Sequence, residues 1–425
     1  MRYFYLWTIG CQMNDADATR ASQGLTEMGL RPTSEPREAD LVVLITCVVR
    51  QSAENRVVGR LTSLKHLKRR RPSVLIGVMG CFVHDERALQ ATYPWVDAFF
   101  KPSQTDELLG FVRERIPGDD DAIPCTLTRP SRSAVCAYVP ISYGCNHHCT
   151  YCIVRLRRGI QQSRPLADIA DEAQCMADAG IRQITLLGQN VDAYGQDLGL
   201  GAPDLSDVLQ VVHQVSSLRR IRFLTSHPAD MSQRVIHAVA LLPRVCPHFE
   251  LAVQAGSDRV LRRMGRSYAI ADFQSVVDSI RAQIPGCSIA TDIIVGFPGE
   301  TRQEFQNTYD LVASTRFDVV HVAKYSPRPG TPAAQLPDDV APEEKEWRRA
   351  RLDQLQERIS AEINGHAVGQ IVEVLVEERH RGRWRGRTVS NKLVFFEDPD
   401  NWRGRLARVR IHAAGPWSLR GGVML

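Results

Sequence analysis

The chain has 425 residues, 44% of them hydrophobic and 24% charged, with a formal net charge of +5, which suggests about three domains of roughly 150 residues with ample core material. No stretch approaches the roughly 20 apolar residues of a membrane span, and the opening MRYFYLWTIG lacks a signal peptide's cationic flank and cleavage site, so a cytoplasmic protein away from membranes is expected. Eleven cysteines, an odd number in a long chain, argue against a secreted disulfide framework and for metal or redox use.

Residues 3–9 (YFYLWTI) read as a buried first strand, followed at once by Gly10 and Cys11. Asn14 and Asp15 are placed to cap a helix over about 16–28. A second apolar strand at 41–46 runs straight into Cys47. After a helix over 53–67, a third at 74–80 runs into Cys81. Strands alternating with helices imply a parallel sheet, whose ligands bind beyond the carboxyl ends of its strands. Cys11, Cys47 and Cys81 share that position and could converge on one rim. The plainer alternative is three separate core thiols. Residues 117–132, rich in Pro, Asp, Ser and Thr, read as a linker.

A strand over 137–143 then enters GCNHHCTYC at 144–152. Cys145, Cys149 and Cys152 are spaced C-x3-C-x2-C and can wrap one corner of an iron–sulfur cube, which normally takes four cysteines. An open coordination position is the mark of a chemically active metal. The alternative is zinc closed by His147 or His148, but each lies between cysteines and would have to fold back. Strands at 184–188, 221–225, 248–254, 288–296 and 319–325 follow, alternating with helices near 169–179, 205–215, 232–240, 273–282 and 303–313. With the strand before the loop they predict a partial α/β barrel whose reactive groups sit at the carboxyl ends of the strands. The cysteine loop, Gln189, His227, Gln254 and Gly296 fall there.

Residues 327–342 carry five prolines and end the barrel. A polar helix over 343–363, charged on most faces, is expected to be a solvated connector. Residues 363–425 hold 11 Lys+Arg against 6 Asp+Glu, so the whole excess charge lies in the tail. Such asymmetry points to a polyanion, nucleic acid above all. Strands at 372–376, 392–396 and 406–411 predict a small β-barrel. Arg379, Arg381, Arg383, Arg385 and Arg387 alternate around Trp384 in its first loop, a pattern suited to phosphate contact and base stacking. A solvated hairpin is the alternative.

TIGCQMN (8–14), ITCVVR (45–50), GVMGC (77–81), GCNHHCTYCIV (144–154), LLGQNV (186–191), TSHP (225–228), QAGSDRVLRRMGR (254–266), DIIVGFPGET (292–301), YSPRPGTPA (325–333) and GRTVSN (386–391) occur in this order. Together they resemble the methylthiotransferase family of the radical S-adenosylmethionine (SAM) superfamily, within it the MiaB-type branch acting on isopentenyl-adenosine in tRNA. The resemblance covers nearly the whole chain. It implies an α/β protein with an N-terminal methylthiotransferase domain (1–118), a radical SAM core built as a partial (β/α)6 barrel (131–360) and an all-β TRAM RNA-binding domain (363–425). By position, Cys145, Cys149 and Cys152 would hold the 4Fe–4S cluster that binds SAM, with Tyr151 beside them. Cys11, Cys47 and Cys81 would hold a second, auxiliary 4Fe–4S cluster. Gln189, Gln254 and Asp292 are expected near SAM.

The implied reaction adds a methylthio group to carbon 2 of N6-isopentenyladenosine beside the anticodon. A 5′-deoxyadenosyl radical would remove the hydrogen, with no side-chain acid or base. Implied partners are the tRNA, an electron donor, and a sulfur donor or Fe–S assembly protein. The alternatives are the same chemistry on threonylcarbamoyl-adenosine or a ribosomal-protein aspartate, and a non-enzymatic Fe–S or zinc RNA-binding protein. The chain departs from its relatives' usual pattern at Arg155, where Pro is common, and at 252–255. Cys125, Cys136, Cys175, Cys246 and Cys287 are assigned to core or linker.

Overall fold

In the computed structural model, which describes residues 2–116 and 134–424, the N-terminal strands form one parallel sheet. The expected linker at 117–132 lies outside the described residues. The strands β1 (Tyr3–Thr8), β2 (Arg31–Pro32), β3 (Leu41–Thr46), β4 (Leu75–Gly80) and β5 (Ala98–Phe100) run in the order β2-β1-β3-β4-β5. Every residue of β3 is buried, as an unalternating apolar run should be when helices cover both faces. The helices are α1 (Gln12–Glu27), α2 (Gln51–Arg70), α3 (Glu86–Thr92) and α4 (Thr105–Arg115). The expected capping by Asn14 and Asp15 is not found, because α1 starts directly behind Cys11. Asn14 is fully buried inside it and its Nδ2 donates to Ile9 O at 2.6 Å, tying the helix to the end of β1.

The middle of the chain gives β6 (Cys136–Pro140), β7 (Ser142–Tyr143), α5 (Val154–Arg158), β8 (Gln162–Ser163), α6 (Leu166–Asp178), β9 (Gln183–Leu187), α7 (Leu205–His213), β10 (Arg220–Phe223) and α8 (Gln233–Leu241). It continues with β11 (His248–Glu250), α9 (Asp258–Arg263), α10 (Ile270–Gln283), β12 (Ser288–Val295), α11 (Arg302–Thr315) and β13 (Val319–Lys324). Two parallel runs, β6-β9-β10 and β11-β12-β13, are joined by the bridges Ile221–Val245 and Ser226–Leu251. The result is the expected open (β/α)6 barrel. The small hairpin of β7 and β8 brackets the cysteine loop.

The helix α12 (Pro342–Gly365) corrects one expectation: it is no solvated connector. Lys345, Arg348, Leu352, Leu355, Gln356 and Ile359 are buried against the barrel. Hydropathy conceals this face because its polar members are paired there. Arg348 Nη1 lies 2.8 Å from Glu300 Oε2, with 3% and 1% of their side chains exposed. Gln356 Nε2 donates to Phe317 O at 2.9 Å. None of the described helices is long and apolar enough to cross a membrane.

The tail closes into a barrel of β14 (Ile371–His380), β15 (Arg383–Arg387), β16 (Leu393–Glu397), β17 (Leu406–Ala414) and β18 (Leu419–Val423), ordered β14-β15-β16-β18-β17. The alternating arginines therefore lie on a paired hairpin, with Arg381 and Gly382 as its turn, and not in a loop. Trp384 is 6% exposed in the barrel core and its Nε1 donates to Asp398 O, so it offers no stacking face. This barrel docks on the floor of the larger one, at the amino ends of its strands. Arg222 Nη2 donates to Thr388 O at 2.6 Å, Ser288 Oγ to Ser390 O at 3.0 Å, and Lys392 Nζ meets Asp318 at 2.5 Å.

Candidate cluster and cofactor site

The cysteine loop leaves β7 through Gly144, whose φ is +68° and whose added Cβ would lie 2.0 Å from Ile160 O. Glycine is required there on both counts. Cys145 N–H donates to Gly159 O, Cys152 N–H to Cys149 O, and Thr150 N–H to Met264 O at 2.9 Å, so the loop is held by its own chain and by the segment after α9. Arg266, 7% exposed, places Nη1 3.5 Å from Cys149 Sγ and donates from Nη2 to Ala252 O at 2.6 Å. Burial pushes the Cys152 thiol up to about 12, and Cys149 and Cys145 push it further. Burial also raises Cys145. Thiols packed together and resisting ionisation are ligands that only a bound cation would deprotonate.

Each loop histidine has its Nε2 already engaged away from the thiols. His147 Nε2 is 2.5 Å from Asp230 Oδ2, and its ring stacks on His227 at 3.7 Å and 9°. His148 Nε2 faces Arg155 Nη1 at 2.8 Å. Arg155 also donates to Asn146 O, so the residue that departs from the usual Pro buckles the loop. The three-thiol set therefore fits a 4Fe–4S cluster with one open iron.

At the strand ends around this loop, Gln254 holds a left-handed φ of +72° and is 9% exposed, with a buried Oε1 that has no partner among the described residues. Its N–H donates to Asp292 O at 2.9 Å, so these two expected SAM neighbours adjoin. Burial raises Asp292, opposed by His321. Tyr151 packs beside Arg266 and Tyr268, and burial pushes its hydroxyl well above its ordinary value. Gln189 is half-buried at the end of β9, with nothing that joins it to Gln254.

Sequence reasoning placed His227 here but missed Asp192 and Asp230, which lie just beyond LLGQNV and TSHP. Asp230 accepts from Asn190 Nδ2 at 2.6 Å, and Asp192 accepts from Ser226 Oγ and His227 N–H at 3.1 Å each. Burial pushes Asp192 up to about 8 and His227 down to about 3. Ala229 N–H donates to His227 Nδ1, which leaves the ring proton on a buried Nε2 without a partner. His147, His227 and Asp230 converge within 4.8 Å, but these hydrogen bonds occupy the atoms a cation would need.

Cys11, Cys47 and Cys81 follow β1, β3 and β4, and the parallel sheet brings them to one rim. Gly10 (φ +123°) passes so close that its Cβ would lie 2.3 Å from Cys47 Cβ. Burial pushes Cys47 up to about 11, and both other thiols add to the shift. Burial also raises Cys81, opposed by the Arg158 guanidinium. Arg158 ends α5, six residues beyond Cys152, and reaches across from the barrel. Its Nη2 donates to Asn14 Oδ1 at 3.0 Å and lies 4.0 Å from Asp17, its Nη1 donates to Ser103, and its side chain is 3% exposed. Nothing in the sequence marked it except its place behind the loop. This triad, too, has no fourth thiol among the described residues and fits a cluster with one open iron.

Three family models match: "Uncharacterized protein family UPF0004" over residues 3–101, the radical SAM superfamily over 139–312, and the TRAM domain over 366–424. Among solved structures, the radical SAM methyltransferase TsrM from Kitasatospora setae aligns with TM-score 0.57 and 13% identity. It covers 79% of this chain and 75% of its own, a likeness of fold. A tRNA-2-methylthio-N(6)-dimethylallyladenosine synthase of Roseiflexus sp. (strain RS-1) is 47% identical over 99% of this chain and 89% of its own length. A namesake from Herpetosiphon aurantiacus is 44% identical over 100% and 97%. Identity of this order along the whole length, through both cysteine triads and the tail barrel, means that the chain belongs to the tRNA-2-methylthio-N(6)-dimethylallyladenosine synthase family.

Proposed function

We infer that the chain is a radical SAM methylthiotransferase acting on carbon 2 of N6-isopentenyladenosine in tRNA. The observation that carries the reading is the pair of three-thiol sites, each without a fourth cysteine among the described residues, on facing rims of two α/β units. Residues 1–118, 131–360 and 363–425 are its domains. Cys145, Cys149 and Cys152 would hold a 4Fe–4S cluster that, once reduced by the electron donor, would supply the electron for splitting SAM into methionine and a 5′-deoxyadenosyl radical able to take an unactivated C–H hydrogen. The chain's own residues bind and orient. Arg266 sets its charge against Cys149, while Gln254, Asp292, Gln189 and Tyr151 line the SAM side of the mouth. Cys11, Cys47 and Cys81 hold the auxiliary cluster, with Arg158 opposing its thiolate charge.

No side chain has to act as acid or base in the C–H step. A tRNA substrate supports a cytoplasmic location, and the chemistry calls for an electron donor and a sulfur donor or Fe–S assembly protein as partners. The test separates the triads. Replacing Cys145, Cys149 and Cys152 with Ala should leave roughly four irons, the content of one cube, and no SAM cleavage. Replacing Cys11, Cys47 and Cys81 should keep SAM cleavage and stop methylthiolation. Two full clusters in the second variant would refute the auxiliary assignment. Assays on isopentenyl-adenosine tRNA, threonylcarbamoyl-adenosine tRNA and the ribosomal protein separate the substrates.

A further inference from the structure

We propose that the outward face of β17 and β18, with Arg408, Arg410, Arg420 and Trp417, grips the tRNA sugar–phosphate backbone, well away from the nucleoside being modified. This rests on the tRNA-modifying reading and says where the RNA is held. The tail's charge divides unevenly. Residues 363–400 carry six Lys+Arg and six Asp+Glu, whereas residues 401–425 carry five arginines and no acidic residue. Three of the hairpin's five arginines are neutralised in place, while Arg379 donates only to Gly382 O and Arg381, in the turn, has no acidic partner among the described residues. Arg383 pairs with Glu397 at 2.8 Å, Arg385 with Glu378 at 2.6 Å and Arg387 with Glu377 at 3.5 Å. By contrast, the side chains of Arg403, Arg405, Arg408, Arg410 and Arg420 have no hydrogen bond or ion pair among the described residues.

The alternation of β17 makes these arginines a stripe. Ala407, Val409 and Ile411 point into the core, and Arg408, Arg410 and His412 are exposed. On one side, Arg410 pairs in register with Gly422, which has no side chain to shield it, and Arg420 stands opposite Ala413. On the other, Glu373 is opposite Arg408 but is engaged by Arg220 at 3.4 Å. The turn between the strands, closed by Gly415 N–H to Ser418 O, carries Trp417 at 61% exposure. Unpaired guanidinium groups beside an exposed indole suit phosphate contact with stacking. The small barrel sits on the floor, while the cysteine loop is at the mouth. The eight residues of β12 separate these levels by about 26 Å at ~3.3 Å per residue. An oligonucleotide of three nucleotides in the mouth, about 10 Å long when stacked at ~3.4 Å per nucleotide, cannot reach the stripe, but a folded tRNA can.

The test titrates cluster-loaded, full-length protein with isopentenyl-adenosine tRNA, and with that short anticodon-loop oligonucleotide, at several salt concentrations. The variants are R408Q/R410Q/R420Q, hairpin R383Q/R385Q/R387Q, and W417A. The stripe variant should weaken tRNA binding and flatten its log–log salt slope by roughly two to three, at ~0.7–0.9 per phosphate lost. Its iron content, SAM cleavage and oligonucleotide affinity should be unchanged, and the hairpin variant should match wild type. W417A should lower tRNA affinity without changing the slope, because stacking releases no counterion. If wild type binds tRNA steeply with salt and the stripe variant binds equally, the stripe is not the RNA face although the tRNA reading survives. A wild type without salt-dependent tRNA binding overturns the reading beneath. A stripe variant that loses binding to anionic phosphatidylglycerol vesicles but keeps tRNA binding makes the face a membrane contact, and the proposal fails.

Discussion

Replacing Arg158 with Met should damage both the stability of the N-terminal unit and the electronic setting of its thiols. In the native chain Asp17, 1% exposed, has Arg158 at 4.0 Å and the Ser103 hydroxyl at 3.2 Å, and its Oδ1 has no partner among the described residues. Removing one member of a buried pair costs about 3–5 kcal/mol. Protonation sets a ceiling: holding an aspartic acid neutral at pH 7, against a reference near 3.9, costs roughly 4 kcal/mol at 1.36 per unit. Burial already raises Asp17, so the variant should take up that proton on folding. Its folded pKa then lies above the unfolded one, so stability falls as pH rises through that window. The deficit should be full near pH 7 and shrink towards pH 4. Anaerobic urea unfolding across pH measures it. R158M/D17N should recover most of the loss. Redox titration should give an auxiliary cluster that is harder to reduce in R158M and near-native in R158K, with the SAM cluster unmoved in both. An R158M/D17N variant as unstable as R158M, or an unshifted auxiliary potential, would refute this account of the guanidinium.

Single Ala variants of Gln189, Gln254 and Asp292 should each weaken SAM binding or uncoupled cleavage, measured by equilibrium dialysis and 5′-deoxyadenosine release; three variants with native values would remove them from the pocket. Gly144→Ala should lose the SAM cluster but keep the auxiliary one, because its Cβ has no room beside Ile160 O; iron analysis near the wild-type content would contradict this. Arg348→Ala should cost about 3–5 kcal/mol by leaving Glu300 buried and unpaired. Burial already raises Glu300, so that loss should fade on acidification towards the ordinary glutamate range, and a pH-independent loss in chemical denaturation would point to packing instead.

The fold was legible wherever hydrophobic period and chain polarity speak together. The six barrel strands announced themselves because each is an apolar run bounded by a helix, and the cysteines behind β1, β3 and β4 marked the carboxyl rim. The two-residue β2 and three-residue β5 left no period to detect. The helix α12 misled because its buried face includes Lys, Arg and Gln, whose partners are Asp338 just before the helix and Glu300 and Phe317 O from distant sequence. Charge was legible in amount but not in place. Five alternating arginines drew the eye, yet cross-strand glutamates at 377, 378 and 397 cancel the last three, and the core takes Trp384.

The parts of the candidate site that sequence could not give are those made by two units meeting. Arg20 of α1 donates to the Tyr143 hydroxyl, Arg328 reaches Glu54 and Gln51, and Met13 and Ala16 pack on Leu187 and Leu224. These contacts set the N-terminal rim against the barrel mouth. Within that joint Arg158 is a residue of the barrel by sequence and of the auxiliary triad by position. Burying a guanidinium in the partner unit is costly unless it is fully matched, and here Asn14, Ser103, Asp17 and the thiols match it. A shift of either unit would break that match, so the distance between the two cysteine triads is held by the same charge that makes one of them habitable.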